Sequence, residues 1–155
     1  MTVQTLEPVI RQQSFFYGME ERHIELITGC ASNVRFAEGQ LIAREGDPAD
    51  EFYLVREGTA AVECRVPHRG VMTVQTVSEG EILGWSWLFP PHRWHFDARA
   101  QAPTHALKFD GKCLRTKCEE DHDLAYELFR RFIYIVSERL EATRMQLLDM
   151  YGNRS

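Results

Sequence analysis

The sequence predicts a mainly β fold with flanking helices. The architecture is an antiparallel β-roll, jelly-roll-like in the manner of a double-stranded β-helix, with short N-terminal helices before it and a long C-terminal dimerisation helix after it. Three observations predict it. Between Val34 and Phe109 the hydrophobic period falls toward two, and turn residues recur about every eight to twelve positions, at Glu38-Gly39, Gly46-Asp47-Pro48, Glu57-Gly58, Pro67 to Gly70 and Glu79-Gly80. No helical stretch there is long enough for repeated parallel crossovers, so the strands must pair antiparallel. From Asp123 to about Tyr151 the period is helical, without one Gly or Pro.

A chain of 155 residues has the length of one domain, here read as 1–155. Residues 1–32 read as a helical cap, in which Ile24, Leu26 and Ile27 form a partial apolar stripe ending near Gly29. Residues 33–110 read as the roll, with a cassette at 80–100. Its clearest strand is Thr59 to Val66, where Ala60, Val62, Cys64 and Val66 share one face and Thr59, Glu63 and Arg65 the other. His105, Leu107 and Phe109 alternate with Ala106 and Lys108 in the same way. Residues 122–151 read as the long helix. Along it Ile133, Val136, Leu140, Thr143, Leu147 and Met150 fall at steps of 3, 4, 3, 4 and 3, a heptad seam that predicts a homodimer. Leu124, Leu128 and Phe132 form a second stripe suited to packing on the roll.

Composition excludes several classes. The 18 basic and 23 acidic residues leave a net charge of −5, so no global basic field gathers phosphate backbones, and direct DNA binding is not expected. The apolar run Ile82 to Pro91 is too short to span a bilayer, and the first residues carry no cationic leader, so a cytoplasmic protein without a membrane partner is expected. Cys30, Cys64, Cys113 and Cys118 are scattered, which predicts reduced thiols, with Cys64 as a small core hydrophobe. No Walker loop, nucleophile elbow or zinc-protease signature is present, so the chain does not read as an enzyme.

The run VRFAEGQLIAREGDPADEFYLVREGTAAVE, followed by VSEGEILG and a long helix, resembles the cyclic-nucleotide-binding domain of the catabolite-activator and kinase regulatory-subunit type, including Fnr-like sensory domains. The resemblance covers roughly residues 20–140, and Gly46, Gly58 and Gly84 match the family's turn glycines. It implies an eight-stranded roll, a phosphate-binding cassette, a dimerising helix and a regulatory role. Only Gly152 to Ser155 follow Tyr151, so a stand-alone module without a DNA-reading domain is expected, its output passing through a protein partner. It also implies where the ligand contacts should lie, and there the residues differ. The family cassette opens Gly-Glu, whereas this chain reads Gly84-Trp85. With Ala98-Arg99-Ala100 as anchor, the family's phosphate-gripping Arg and its small Ala correspond to Trp94 and Phe96. Losing two charge-assisted anchors at roughly 1.5–3 kcal/mol each removes on the order of 3–6 kcal/mol of binding. A shift of one residue would instead place Arg93 at the phosphate position.

All three tryptophans and two phenylalanines fall in the twelve residues from Trp85 to Phe96. Aromatic side chains bury about 150–250 Å² each, so this cassette must pack somewhere. Three readings follow. The rings fill the pocket and leave a structural interaction module. They line a remodelled pocket for a small molecule, with Gly84, Trp85, Ser86, Trp87, Leu88, Arg93, Trp94, His95 and Phe96 as candidate ligand contacts. Or they form a patch for a partner. His92 and His95, joined by Cys64 or His105, would be the ligands of a haem or metal sensor. The sequence names no cofactor.

Overall fold

A computed structural model describes residues 6–152. The described residues form eight strands and four α-helices. The helices are α1 (Glu7–Arg11), α2 (Glu21–Thr28), α3 (Gly111–Glu120) and α4 (His122–Gly152). The strands are β1 (Ala31–Phe36), β2 (Leu41–Ala43), β3 (Glu51–Glu57), β4 (Ala60–Val66), β5 (Gly70–Val77), β6 (Ile82–Leu83), β7 (Asp97–Ala100) and β8 (Thr104–Asp110). They pair antiparallel in two four-stranded sheets, ordered β1-β8-β3-β6 and β2-β7-β4-β5. This is the β-roll that the alternating pattern predicts.

The two central strands of the first sheet divide the core. Phe52 and Leu54 of β3, with Leu107 and Phe109 of β8, face the helices, where they meet Ile10, Phe16, Ile24, Ile27, Leu114, Leu124, Leu128 and Phe132. Tyr53 and Val55 of β3, with Ala106 of β8, point the other way into the roll, beside Val62, Val77, Leu83, Ala98 and Ala100. Period two with both faces covered explains why the neighbours Ala106 and Leu107 of β8, which point to opposite faces, are both buried. Leu124, Leu128 and Phe132 are buried against the first sheet, so the first part of α4 covers its own roll.

Four sequence expectations need correction. The helical cap is interrupted by a 3-10 turn at Ser14–Phe16, and strand β1 already begins at Ala31; residues 1–5 of that cap lie outside the described residues. Helix α3 has no counterpart in the sequence expectation. Asp110 caps it, its carboxylate accepting from the backbone N–H groups of Lys112 and Cys113. Cys64 is only half-buried, because a bulge between Val62 and Glu63 breaks the alternation of β4.

The expectation of reduced thiols fails for two of the four cysteines. Cys30 and Cys113 are joined in a disulfide with Cα atoms 5.9 Å apart, while Cys64 and Cys118 are free. The fold brings the pair together. Ala31 lies opposite Phe109 in the β1/β8 ladder, and the Asp110 amide donates to the Cys30 carbonyl. Lys117 Nζ donates to the Leu26 carbonyl, so the ends of α2 and α3 are held by charge as well as by the covalent link. Cysteine usage therefore does not assign a reducing compartment. No helix among the described residues is long and apolar enough to cross a membrane.

Candidate functional site

The cassette leaves the first sheet at β6 and makes a sharp turn at Gly84, whose φ is +96°. A Cβ added there would lie 2.7 Å from Trp94 Cη2, so both the backbone region and the close approach require glycine. Next comes a 3-10 turn, Ser86–Leu88, held to α3 by Arg115, whose guanidinium donates to the Trp87 carbonyl at 2.6 Å. The chain then returns alongside the Gly46-Asp47-Pro48 turn. The Gly46 amide donates to the Trp94 carbonyl at 2.8 Å, the Trp94 amide to the Asp47 carbonyl at 3.0 Å, and the Ala49 amide to the His92 carbonyl at 2.7 Å. Three backbone bonds therefore fix where Trp94 points.

It points into the roll. The Trp94 side chain is 3% exposed and packs with Phe36, Tyr53, Val55, Val62, Leu83, Ala98 and Ala100; Phe96 meets its ring edge-on at 5.6 Å. None of the buried side chains in this cluster carries a charge. Its one phenol, Tyr53, is pushed well above the usual range by burial and then by Glu51, so it stays neutral.

The nine candidate contacts are not brought together. Gly84, Trp94 and Phe96 belong to the roll interior. Trp87 lies on the opposite side of the first sheet, fully buried, stacked on Phe52 at 5.1 Å and edge-on to Phe132 at 5.5 Å. Trp85 and Leu88 pack half-buried on that same helical side, and Ser86 is buried. Arg93 and His95 are exposed, and Arg93 Nη1 donates to the Gly46 carbonyl at 3.1 Å. His92 and His95 do not form a ligand set with Cys64 or His105. Among the described residues, the only group of three or more His, Cys, Asp and Glu side chains whose ligand atoms all lie within 4.8 Å is the carboxylate trio Glu7, Glu21 and Glu25.

The second feature is the outer face of α4. Ile133, Val136, Leu140, Leu147 and Met150 of the heptad seam are all exposed, as is Thr143. Tyr126 and Phe129, exposed as well, extend the same 3-4 spacing toward the N-terminus of the helix. A sequence reading that began the seam at Ile133 missed them, although the spacing itself reveals them.

With this geometry in place, the comparisons identify the class. Residues 33–121 match the family described as cyclic nucleotide-binding domain, which is more than half of the chain, and the chain belongs to that family. The CRP-like cAMP-activated global transcriptional regulator of Mycobacterium tuberculosis is 21% identical over 145 residues, covering 94% of this chain and 63% of the regulator. The chain thus spans less than two thirds of the curated relatives it matches. Among solved structures, a cyclic-nucleotide-binding-type protein from Geobacter metallireducens superposes with a TM-score of 0.79 at 26% identity, covering 86% of this chain and 97% of that one. The sensor domain of the transcriptional regulator DNR from Pseudomonas aeruginosa gives 0.71 at 15% identity, covering 90% and 93%. The regulatory domain of Toxoplasma gondii PKA, solved with cAMP, gives 0.67 at 18%, covering 83% and 49%. The first of these is a transcriptional regulator, and the three solved structures share this fold.

Proposed function

We infer that this chain is a regulatory module of the cyclic nucleotide-binding family whose roll interior is closed by its own aromatic side chains. Cyclic AMP and cyclic GMP then do not bind in the usual way, and the output passes through protein contacts along α4, first with a second copy of the chain and through it with a protein partner. One observation carries the reading: the Trp94 indole, buried against Gly84, occupies the position where the resemblance puts the phosphate-gripping arginine. A cyclic nucleotide would have to displace that ring into water while finding no cation inside the roll. Nucleotide binding through Arg93 gains no support, since its guanidinium is exposed and bonded to Gly46. The homodimer rests on the exposed apolar seam of α4, which no part of the described chain covers.

Calorimetric titration of the chain with cyclic AMP and cyclic GMP tests the reading. Losing on the order of 3–6 kcal/mol of anchoring takes a micromolar ligand to about 0.1–10 mM, so no saturation is expected below ~0.1 mM nucleotide. Micromolar binding of either nucleotide would overturn it.

A further inference from the structure

Three links tie the chain around α2 to α3, and they fall at a regular spacing. Cys30, just beyond the end of α2, is bonded to Cys113 in the first turn of α3. Four residues back from Cys30 and four on from Cys113, the Leu26 carbonyl accepts from Lys117 Nζ at 2.7 Å. Four further in the same directions, Arg22 Nη1 donates to Asp121 Oδ2 at 2.5 Å. Four residues are about one helical turn, so the links run in a line along one face of each element. The line ends where α3 passes into α4. There Asp121 caps α4, its Oδ1 accepting from the Leu124 N–H at 3.1 Å, and the buried His23 ring stands 3.8 Å from the same carboxylate. The Leu124 bond first and Arg22 second hold the Asp121 carboxyl below its ordinary range. Helix α3 buries only Gly111 and Leu114 of its ten residues, so little apolar packing backs these links.

We propose that Cys30 and Cys113 form a reversible thiol–disulfide couple, exchanged with a dithiol, that sets how firmly the α3–α4 junction is held. Cys30 is buried and Cys113 half-buried, so the Cys113 sulfur is the one a thiolate can reach. One thiolate of the dithiol attacks it and Cys30 leaves, taking up a proton. The second thiolate then attacks the mixed disulfide, releasing Cys113 and closing the reagent into its own disulfide. Two electrons pass to the pair, and a low-molecular-weight disulfide reverses the exchange. The backbone keeps both cysteines in place when the bond opens, because Ala31 still faces Phe109, the Asp110 amide still donates to the Cys30 carbonyl, and the Gly111 amide to that of Asp50. Beyond Gly111, α3 loses its covalent tie and is left with Lys117 and Asp121 on the α2 side. The cap of α4 therefore loosens, two residues before the exposed face that begins at Tyr126. This couple operates whether the roll interior is closed or open.

The test compares the intact chain, labelled with 15N, in its oxidised state and after dithiothreitol. At about 5 mM reagent the pair should open while the chain stays folded. Alkylation in urea after quenching should then count four thiols in place of two. Amide shifts should run from Cys113 through Lys117 to Asp121 and Leu124, and the Leu124 amide should exchange with deuterium about tenfold faster or more. Oxidised glutathione should restore the first spectrum. The double variant Cys30→Ala/Cys113→Ala should show the reduced pattern and ignore both reagents, which separates the pair from Cys64 and Cys118. Lys117→Met, which cuts the middle link and keeps both cysteines, should speed Leu124 exchange in the oxidised chain. Reduction that succeeds only in urea overturns the proposal, and so does unfolding on reduction, since the bond is then a staple. Shifts confined to the neighbours of Cys30 and Cys113, or an unchanged Leu124 rate in the reduced chain or in Lys117→Met, would break the line to the junction. None of these outcomes bears on the nucleotide titration.

Discussion

Replacing Gly84 and Trp94 singly and together isolates the contact that closes the roll. Trp94→Ala removes a buried indole from a rigid, backbone-anchored position and should destabilise the fold by about 3–5 kcal/mol. Gly84→Ala carries two costs: about 1–2 kcal/mol for a Cβ at φ +96°, and about 1–3 kcal/mol for overpacking against the indole 2.7 Å away. The total is about 2–5 kcal/mol. With Trp94 already gone, only the backbone part remains, so Gly84→Ala should cost about 1–2 kcal/mol in the Trp94→Ala background. Urea unfolding followed by circular dichroism reads all four corners of the cycle, and the coupling should come to about 1–3 kcal/mol. Additive behaviour within ~0.5 kcal/mol would refute the close packing, as would a Trp94→Ala penalty below ~1 kcal/mol.

The other predictions concern α4 and the thiols. Leu140→Asp places a charge in the middle of the exposed seam and should convert a dimer into monomers in sedimentation; an unchanged mass would rule out the seam as the interface. The Cys118 thiol is pushed up to about 11 from its ordinary 9.0, by burial first and Asp121 second. The raised value means that the reactive thiolate is scarce until the pH climbs toward 11. At pH 8, alkylation of Cys118 in the folded chain should run about a hundredfold slower than in the urea-unfolded chain, and comparable rates would contradict its placement.

How far the sequence reveals the molecule depends on whether the deciding interaction is local. The roll and the long helix are visible because hydrophobic period and turn residues are properties of neighbours in sequence, and Gly46, Gly58 and Gly84 all take the positive φ that their turns suggest. Helix α3 is less visible. Its segment GKCLRTKCEE buries only Gly111 and Leu114, and Asp110-Gly111 looks like a turn signal although it is a helix cap. The Cys30–Cys113 bond joins residues 83 positions apart and depends on the β1/β8 register, which no count of cysteines supplies. The cassette shows the same limit. Composition says that the aromatic cassette must pack somewhere, yet Phe89 stays exposed, the 3-10 turn sends Trp87 to the helical side, and pairing with Gly46 to Ala49 turns Trp94 inward. Substitution at the family's anchor positions was legible, but its consequence is a matter of backbone direction.

Seating Trp94 inside the roll also changes what regulation can mean for this fold. With no charge among the buried residues of the interior, the exposed apolar face of α4 is what the fold leaves for contact with other molecules. The central claim is that the indole stands where a cyclic phosphate would. A crystal structure of the chain grown with an excess of cyclic AMP tests it most directly. The account predicts Trp94 packed on Gly84 with no nucleotide in the roll, and density for a cyclic phosphate beside Gly84 with the indole turned out would contradict it.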